Sequence, residues 1–380
     1  MKKACFFIGA PGGEGAVAAH FVALGQELAG RGNIVKVFAQ ADVVNGMAHE
    51  NNFSTLVWPS PRPTRIADAV FLARAIRQHR PDCLVANFAT VNWMCLLGWF
   101  YRVDCRLAFY HTLHAQINSD ASVRPGLWRS LMTLRKRVVY KTATGVVGIS
   151  QAALRDAQGT YGVPSRKCSL WRYSMPDPAR RFPLLGSDQR ENLVVCAARL
   201  MPSKGQDVLI SALALATGAA ASVQVEFLGT GPALESLRQL AEARGVAARC
   251  RFVGLVSHDQ VLARMARAQV TIVPSRQEAF GLVNVESMSV GTPVIASHVD
   301  GIREIIRDGL DGFLVPPGDA GALAAKLSLL IEDQDLRQRL GRSARQRFLE
   351  TYEDTSVVRK QADWLEQLVQ PPGQRINHAT

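Results

Sequence analysis

Residues 270–297 read VTIVPSRQEAFGLVNVESMSVGTPVIAS. The first four are rich in β-branched side chains and read as a buried strand, 270–273, which Pro274 terminates because it has no N–H to donate. A polar loop follows, Gly281 precedes a helical run from Leu282, and Pro293 begins a second strand, 293–296. Strand, loop, helix and strand in that order describe a parallel unit whose sheet is covered on both faces.

The same rhythm extends in both directions. Short apolar runs at 193–197, 224–228, 251–253 and 312–315 alternate with longer amphipathic stretches, and an earlier series runs through 4–8, 34–38, 83–87, 107–111 and 146–149. Two series imply two doubly wound α/β domains, and 380 residues exceed the ~250–300 at which a single core stops growing. Between the series lies MPDPARRFP, 175–183, whose three prolines in nine residues stop both helix and strand and mark a linker. The expected division is an N-terminal Rossmann-like domain, 1–180, and a C-terminal one, 181–355. Residues 356–380 are expected to form a helix that returns to the first domain. Ligands of such sheets bind outside the strand carboxyl ends.

Several loops at those ends carry chemistry. Glu278 lies in the loop after 270–273 and Glu286 about one turn into the following helix, while backbone N–H groups at Phe280, Gly281 and Leu282 are expected to point at an anion at the helix start. Two glutamates at that spacing are by themselves also explained as a solvated helix start; the loop, the glycine and the following Gly291-Thr292-Pro293 in register make the pattern specific. Arg199 and Lys204, five residues apart after 193–197, can converge on one diphosphate, the first with a planar fork and the second with a compact charge. Gly229-Thr230-Gly231 and Gly301 supply further tight turns at the same sheet edge.

These segments resemble the retaining glycosyltransferases of family 4, the group 1 family, whose GT-B fold sets two Rossmann-like domains facing across a cleft. The resemblance is strong over about 190–320 and continues, more weakly but in register, over 1–180. It implies that Glu278 contacts the donor sugar and Glu286 the ribose hydroxyls. Arg199 and Lys204 would neutralise the leaving nucleoside diphosphate, Gly281 and Leu282 would donate from the backbone, and Leu255 and Val256 would lie against the base. The implied activity is transfer of a hexose-type sugar from a UDP- or GDP-linked donor to an acceptor hydroxyl with retention, in bacterial surface polysaccharide or glycolipid assembly. No metal or other cofactor is implied. The alternatives are another GT-B enzyme, such as a phosphorylase or sugar-nucleotide epimerase, or a non-catalytic nucleotide-sugar binder.

In the first half, Pro11-Gly12-Gly13-Glu14-Gly15 forms a glycine turn between first strand and first helix. The family's equivalent turn approaches the donor phosphate and the acceptor, so Gly13 and Gly15 join the candidate site. Gly13-x-Gly15-x-x-Ala18 with Asp42 also fits a dinucleotide fingerprint, but a nicotinamide enzyme leaves Arg199, Lys204 and the Glu278–Glu286 loop unexplained. Position 14 is Glu and no Lys-Ser/Thr follows, so a Walker loop fails. His111 ends the strand 107–111, and the resemblance places it beside the sugar. His114 lacks a third ligand for a metal. Ser150 matches a family serine and equally fits a helix N-cap. Asp333-x-Asp335 falls in an amphipathic stretch and reads as a solvated face. One departure stands out: many relatives carry an Asn-Gly turn ahead of the linker, where this chain has Tyr173-Ser174-Met175-Pro176.

The net charge of +12 is unevenly placed: 1–180 holds 22 basic and 10 acidic residues, 181–380 holds 22 of each. The nucleotide falls to the balanced half, so the excess points to the acceptor side. A saccharide or lipid-linked acceptor at an anionic membrane surface fits it, with the basic, apolar stretch 128–141 and the run 93–101 as contacts. No recognised nucleic-acid module is present, so nucleic acid is not the expected partner. Seven scattered cysteines without a C-x-x-C pair suit a reducing compartment, and no apolar run nears the ~18 residues of a membrane span. The expected location is cytoplasmic, peripheral on the inner face of the membrane.

Overall fold

Strands that are apolar on both faces need cover on both faces, and here helices between successive strands provide it. The computed structural model describes residues 3–11, 15–40, 52–116, 126–181, 184 and 189–370. Its described residues group into two units, one drawn from 1–111, 123–175 and 354–380, the other from 112–122 and 176–353.

The first unit holds β1 (Cys5–Gly9), β2 (Ile34–Ala39), β3 (Phe53–Val57), β4 (Cys83–Ala86), β5 (Cys105–Tyr110), β6 (Gly145–Gly148) and β7 (Cys168–Leu170). They form one parallel sheet in the order β3-β2-β1-β4-β5-β6-β7. Phe6 pairs in register with Val35 on one side and Cys83 on the other, and Phe6, Phe7 and Ile8 are fully buried. The helix Asp354–Val369 lies on the helix Ala16–Gly30, where Arg31 reaches Asp363 at 2.5 Å and Glu366 at 3.0 Å.

The second unit holds β8 (Glu191–Ala197), β9 (Gln224–Leu228), β10 (Cys250–Gly254), β11 (Ala268–Val273), β12 (Val294–Ser297) and β13 (Gly312–Val315), ordered β10-β9-β8-β11-β12-β13 and parallel throughout. Its core joins Val194, Leu209, Phe227, Ile272, Leu323 and Leu340, all essentially inaccessible.

Strand order reverses between β1 and β4 in the first sheet and between β8 and β11 in the second. At such a switch point the loops leave in opposite directions and open a crevice at the strand carboxyl ends. The loops after β8 and β11 are those that carry Arg199, Lys204 and Glu278. Two strands were not anticipated, β3 and β7, and both sit at an edge of the first sheet. An edge strand pairs on one side only and needs no continuous apolar run; β3 is half-buried and β7 has three residues.

Candidate active site

The switch point of the second sheet is held by hydrogen bonds to backbone carbonyls. Ala198 N–H donates to Leu228 O, Leu200 N–H to Thr230 O and Gln206 Nε2 to Arg199 O, each at 3.0 Å. Arg199 is thereby fixed at the backbone while its guanidinium is exposed, with no hydrogen bond or ion pair among the described residues. The glycine turn after β9 makes this approach possible: a Cβ on Gly231 would sit 2.2 Å from Leu200 O, and one on Gly229 2.2 Å from Ala198 O.

The loop after β11 meets the loop after β8 directly. Arg276 N–H donates to Ser203 O at 2.8 Å, and its guanidinium grips Asp207 at 2.6 and 2.7 Å. Across this seam Lys204 Nζ lies 2.6 Å from Glu278 Oε2, both side chains being largely buried. Ser275 Oγ also donates to that oxygen at 3.4 Å. Glu278 Oε1 takes no hydrogen bond among the described residues, and an ammonium keeps two further donors after one is used. Gly301 packs on the backbone behind Glu278, where a Cβ would stand 2.4 Å from Glu278 O.

Gly281 adopts φ +96° as the N-cap of the helix Leu282–Ser289, and no side chain caps it. A side chain at that φ is strained, and its Cβ would meet Asn284 Nδ2 at 2.5 Å. The helix therefore begins with uncapped N–H groups shortly after Glu278 in sequence, at the sheet edge that also carries Lys204. Phe280 contributes backbone only, because its ring is buried against Tyr352. Glu286 is 8% exposed, and its Oε1 lies 3.0 Å from His258 Nε2. Hydrogen bonding to Glu286 raises the His258 pKa above its ordinary 6.5 despite the opposing effect of burial. His258 begins the helix His258–Arg267, just past Leu255, which is 83% exposed, and the half-buried Val256.

The first sheet's switch point has a different character. Asn87, past the end of β4, donates from Nδ2 to Gly9 O at 2.7 Å, which turns its Oδ1 toward His111 Nε2 at 2.8 Å. His111 must then donate from Nε2, so its Nδ1 accepts the Tyr173 hydroxyl hydrogen bond. Phe88 stacks on the imidazole at 4.0 Å. Burial, with the nearby His20, lowers the His111 pKa to about 3. Beneath it, His20 Nδ1 contacts Ser174 Oγ at 2.8 Å, and burial lowers its pKa to about 4 against the opposing Gln361 side chain. Both histidines are neutral at physiological pH.

Gly15 caps the helix Ala16–Gly30 in extended conformation with open space around it, whereas Gly13 lies outside the described residues, as does Asp42. Ser150 is an N-cap accepting from Ala153 N–H at 3.0 Å. Asp333 caps the helix Gln334–Thr351, accepting from Leu336 N–H at 2.8 Å, and Asp335 follows in its first turn. His258, Asn87 and Tyr173 were absent from the residues predicted to form the site. Only Tyr173, in the segment departing from the Asn-Gly pattern, left a trace in the sequence.

Comparison with known proteins finds family matches in both halves of the chain. Residues 180–347 match the family described as "Glycosyl transferases group 1", and residues 17–172 match "Glycosyltransferase Family 4". The chain is 32% identical over 219 residues to the alpha-D-kanosaminyltransferase of Streptomyces kanamyceticus, covering 55% of this chain and 56% of that one. It is 37% identical over 183 residues to a phosphatidyl-myo-inositol mannosyltransferase of Mycobacterium leprae, covering 47% of each. The matched region thus spans about half the length of these relatives. Among solved structures, sucrose-phosphate synthase from Thermosynechococcus elongatus aligns with a TM-score of 0.76 at 21% identity, over 96% of this chain and 99% of that one, a likeness of fold.

Proposed function

The chain belongs to the group 1, family 4 glycosyltransferases, and from that premise we propose that it moves a hexose-type sugar from a UDP- or GDP-linked donor to an acceptor hydroxyl with retention. The observation that carries this reading is the seam of the second sheet, where Lys204 meets Glu278 at 2.6 Å near an uncapped helix start, with Arg199 on the same loop as Lys204 and unpaired among the described residues.

Breaking a glycosyl–phosphate bond builds positive charge on the sugar and negative charge on the diphosphate. Arg199 and the two remaining Lys204 donors receive the diphosphate, and the Gly281 and Leu282 N–H groups add the helix dipole. These cations take the role a metal has elsewhere, so turnover is expected to survive chelators. Glu278 holds Lys204 through Oε2 and offers Oε1 to a sugar hydroxyl. Glu286 meets the ribose, and Leu255 and Val256 lie against the base, with Gly229 shaping the turn beside them. The departing phosphate takes the acceptor's proton on the same face of the sugar, an arrangement that comes from the family. His111 serves as a neutral group beside the sugar; with both ring nitrogens engaged it is not an acid or base. Gly15 stands at the turn assigned to the acceptor.

We assign the acceptor to the saccharide or lipid-linked class, in surface polysaccharide or glycolipid assembly at the inner face of the cytoplasmic membrane. Support comes from the helix Gly126–Thr142, which exposes Leu131, Leu134 and Val138 along one stripe beside Arg135 and Lys141 and has no acidic residue. The helix Val91–Phe100 packs against it and exposes Trp99 and Phe100 at its end. Among the described residues no helix is long and apolar enough to cross a membrane. Sedimentation with vesicles should show binding that needs anionic lipid and weakens with salt.

Replacing Arg199 or Lys204 by Ala is expected to lower turnover ~10²–10³-fold with UDP- or GDP-hexose donors. Near-normal turnover in both variants at matched folding would overturn the assignment.

A further inference from the structure

Glu286 is a buried carboxylate, and a charge taken out of water is costly unless something nearby pairs with it. Among the described residues one side chain does so, His258, whose Nε2 reaches Oε1 at 3.0 Å. Oε2 takes no hydrogen bond from the described residues. The partner is itself held: Ser257 Oγ accepts from Gln260 N–H at 3.3 Å while Gln260 Oε1 accepts from Ser257 N–H at 3.1 Å, a reciprocal cap that fixes the turn carrying His258. The following Asp259 forms an exposed ion pair with Arg181 at 3.1 Å.

We infer that His258 is the positioning residue of Glu286, occupying one carboxylate oxygen so that the other is presented in a single orientation to the vicinal hydroxyls of the donor's ribose. The inference rests on the assignment of Glu286 to the nucleoside. It adds that nucleoside recognition in this chain needs a residue 28 positions earlier, on a different loop. A carboxylate accepts from two adjacent hydroxyls well only if its plane is fixed, and a single-bonded Glu side chain has three torsions to restrain. Loss of the imidazole would free the carboxylate without removing its charge.

The test measures binding of UDP and GDP, and of their 2′,3′-dideoxy counterparts, by calorimetry, alongside donor KM and kcat. For His258→Ala, affinity for whichever ribonucleotide binds is expected to fall about tenfold to a hundredfold, the worth of a hydrogen bond to a charged group. The dideoxy affinity should barely move, and KM should rise with kcat near wild type. His258→Gln, which can donate from Nε2 to the same oxygen, should restore most of the ribo preference. Glu286→Gln combined with His258→Ala should lose little more than either alone. If His258→Ala proves unstable, His258→Leu keeps the ring's bulk without the donor. Equal losses for ribo and dideoxy nucleotides, or unchanged ribonucleotide affinity, would overturn the role of His258. Failure of the wild-type protein to bind either nucleotide would instead overturn the donor-site assignment itself.

Discussion

The two switch points are built on the same strand pattern yet use opposite electrostatics. At the second sheet, Lys204, Glu278, Glu286 and His258 are paired across loops, Arg199 has no partner among the described residues, and the histidine is pushed toward its charged form. At the first, His111 and His20 are enclosed by Phe88, Tyr173 and Phe21 and held neutral. Charge is concentrated where a diphosphate is assigned, because paired charges near a surface can be redirected to an incoming anion. Hydrogen bonding without charge governs where the group has only to keep its place. A parallel sheet thus supplies the location of a site, and the loop side chains alone decide its polarity.

The largest expected effect tests that division through turnover. The hundred- to thousandfold loss expected for Lys204→Ala should have no equal in the first unit, where His111→Gln retains a donor and an acceptor and should cost less than about tenfold. A proton-transferring histidine would instead be worth roughly 10²–10⁴-fold. A loss of that size in His111→Gln, with a limb of the kcat pH profile removed, would break the comparison.

Much of this contrast is legible in the amino-acid sequence. The charged seam was visible because its parts are short-range in sequence: Arg199 and Lys204 share one loop, as do Glu278 and Gly281. Eleven of the strands were visible because apolar runs on buried parallel strands are continuous, whereas β3 and β7 sit at edges where that demand lapses. The neutral cage was not legible, since Asn87, His111 and Tyr173 come from separate connections and only the strand order brings them together. For the same reason the Cys83 and Cys105 thiols, distant in sequence, stand 3.1 Å apart across β4 and β5.

A second effect concerns acid. In the unfolded chain His20 and His111 take up protons near pH 6.5, but the folded unit resists until about 4 and about 3. Below pH 6.5 the unfolded state therefore binds more protons, and stability falls with pH by roughly 1.4 kcal/mol per histidine per unit. By pH 5 the first unit should lose on the order of 4 kcal/mol from the two together. All six tryptophans belong to the first unit's sequence, so fluorescence-detected urea melts follow that unit alone. His111→Gln should remove about half of the acid loss. Melts that are flat between pH 7 and 5 would show that neither histidine is kept neutral by the fold.

The smallest effect has the reverse sign and belongs to His258. Its folded pKa is raised, so its contribution to stability is fully present below the unfolded value near 6.5 and is lost as pH rises through the folded one. Three charged groups act on it: Glu286 and Asp259 favour the imidazolium and Arg181 opposes it. Its place in the first turn of the helix His258–Arg267 also disfavours positive charge, since the dipole is positive there. The neutral ring can still donate from Nε2 to Glu286, so deprotonation removes the charge component of the pair and leaves the hydrogen bond. The loss on going from pH 6 to pH 9 should accordingly stay below about 1 kcal/mol, and His258→Gln should abolish it. Hydrogen exchange of β11 and the helix Leu282–Ser289 isolates this unit from the first, and an NMR titration of His258 gives the pKa directly. A midpoint at or below 6.5 would place His258 with His20 and His111, and the two switch points would then differ in their carboxylates and lysine but not in how they treat a histidine.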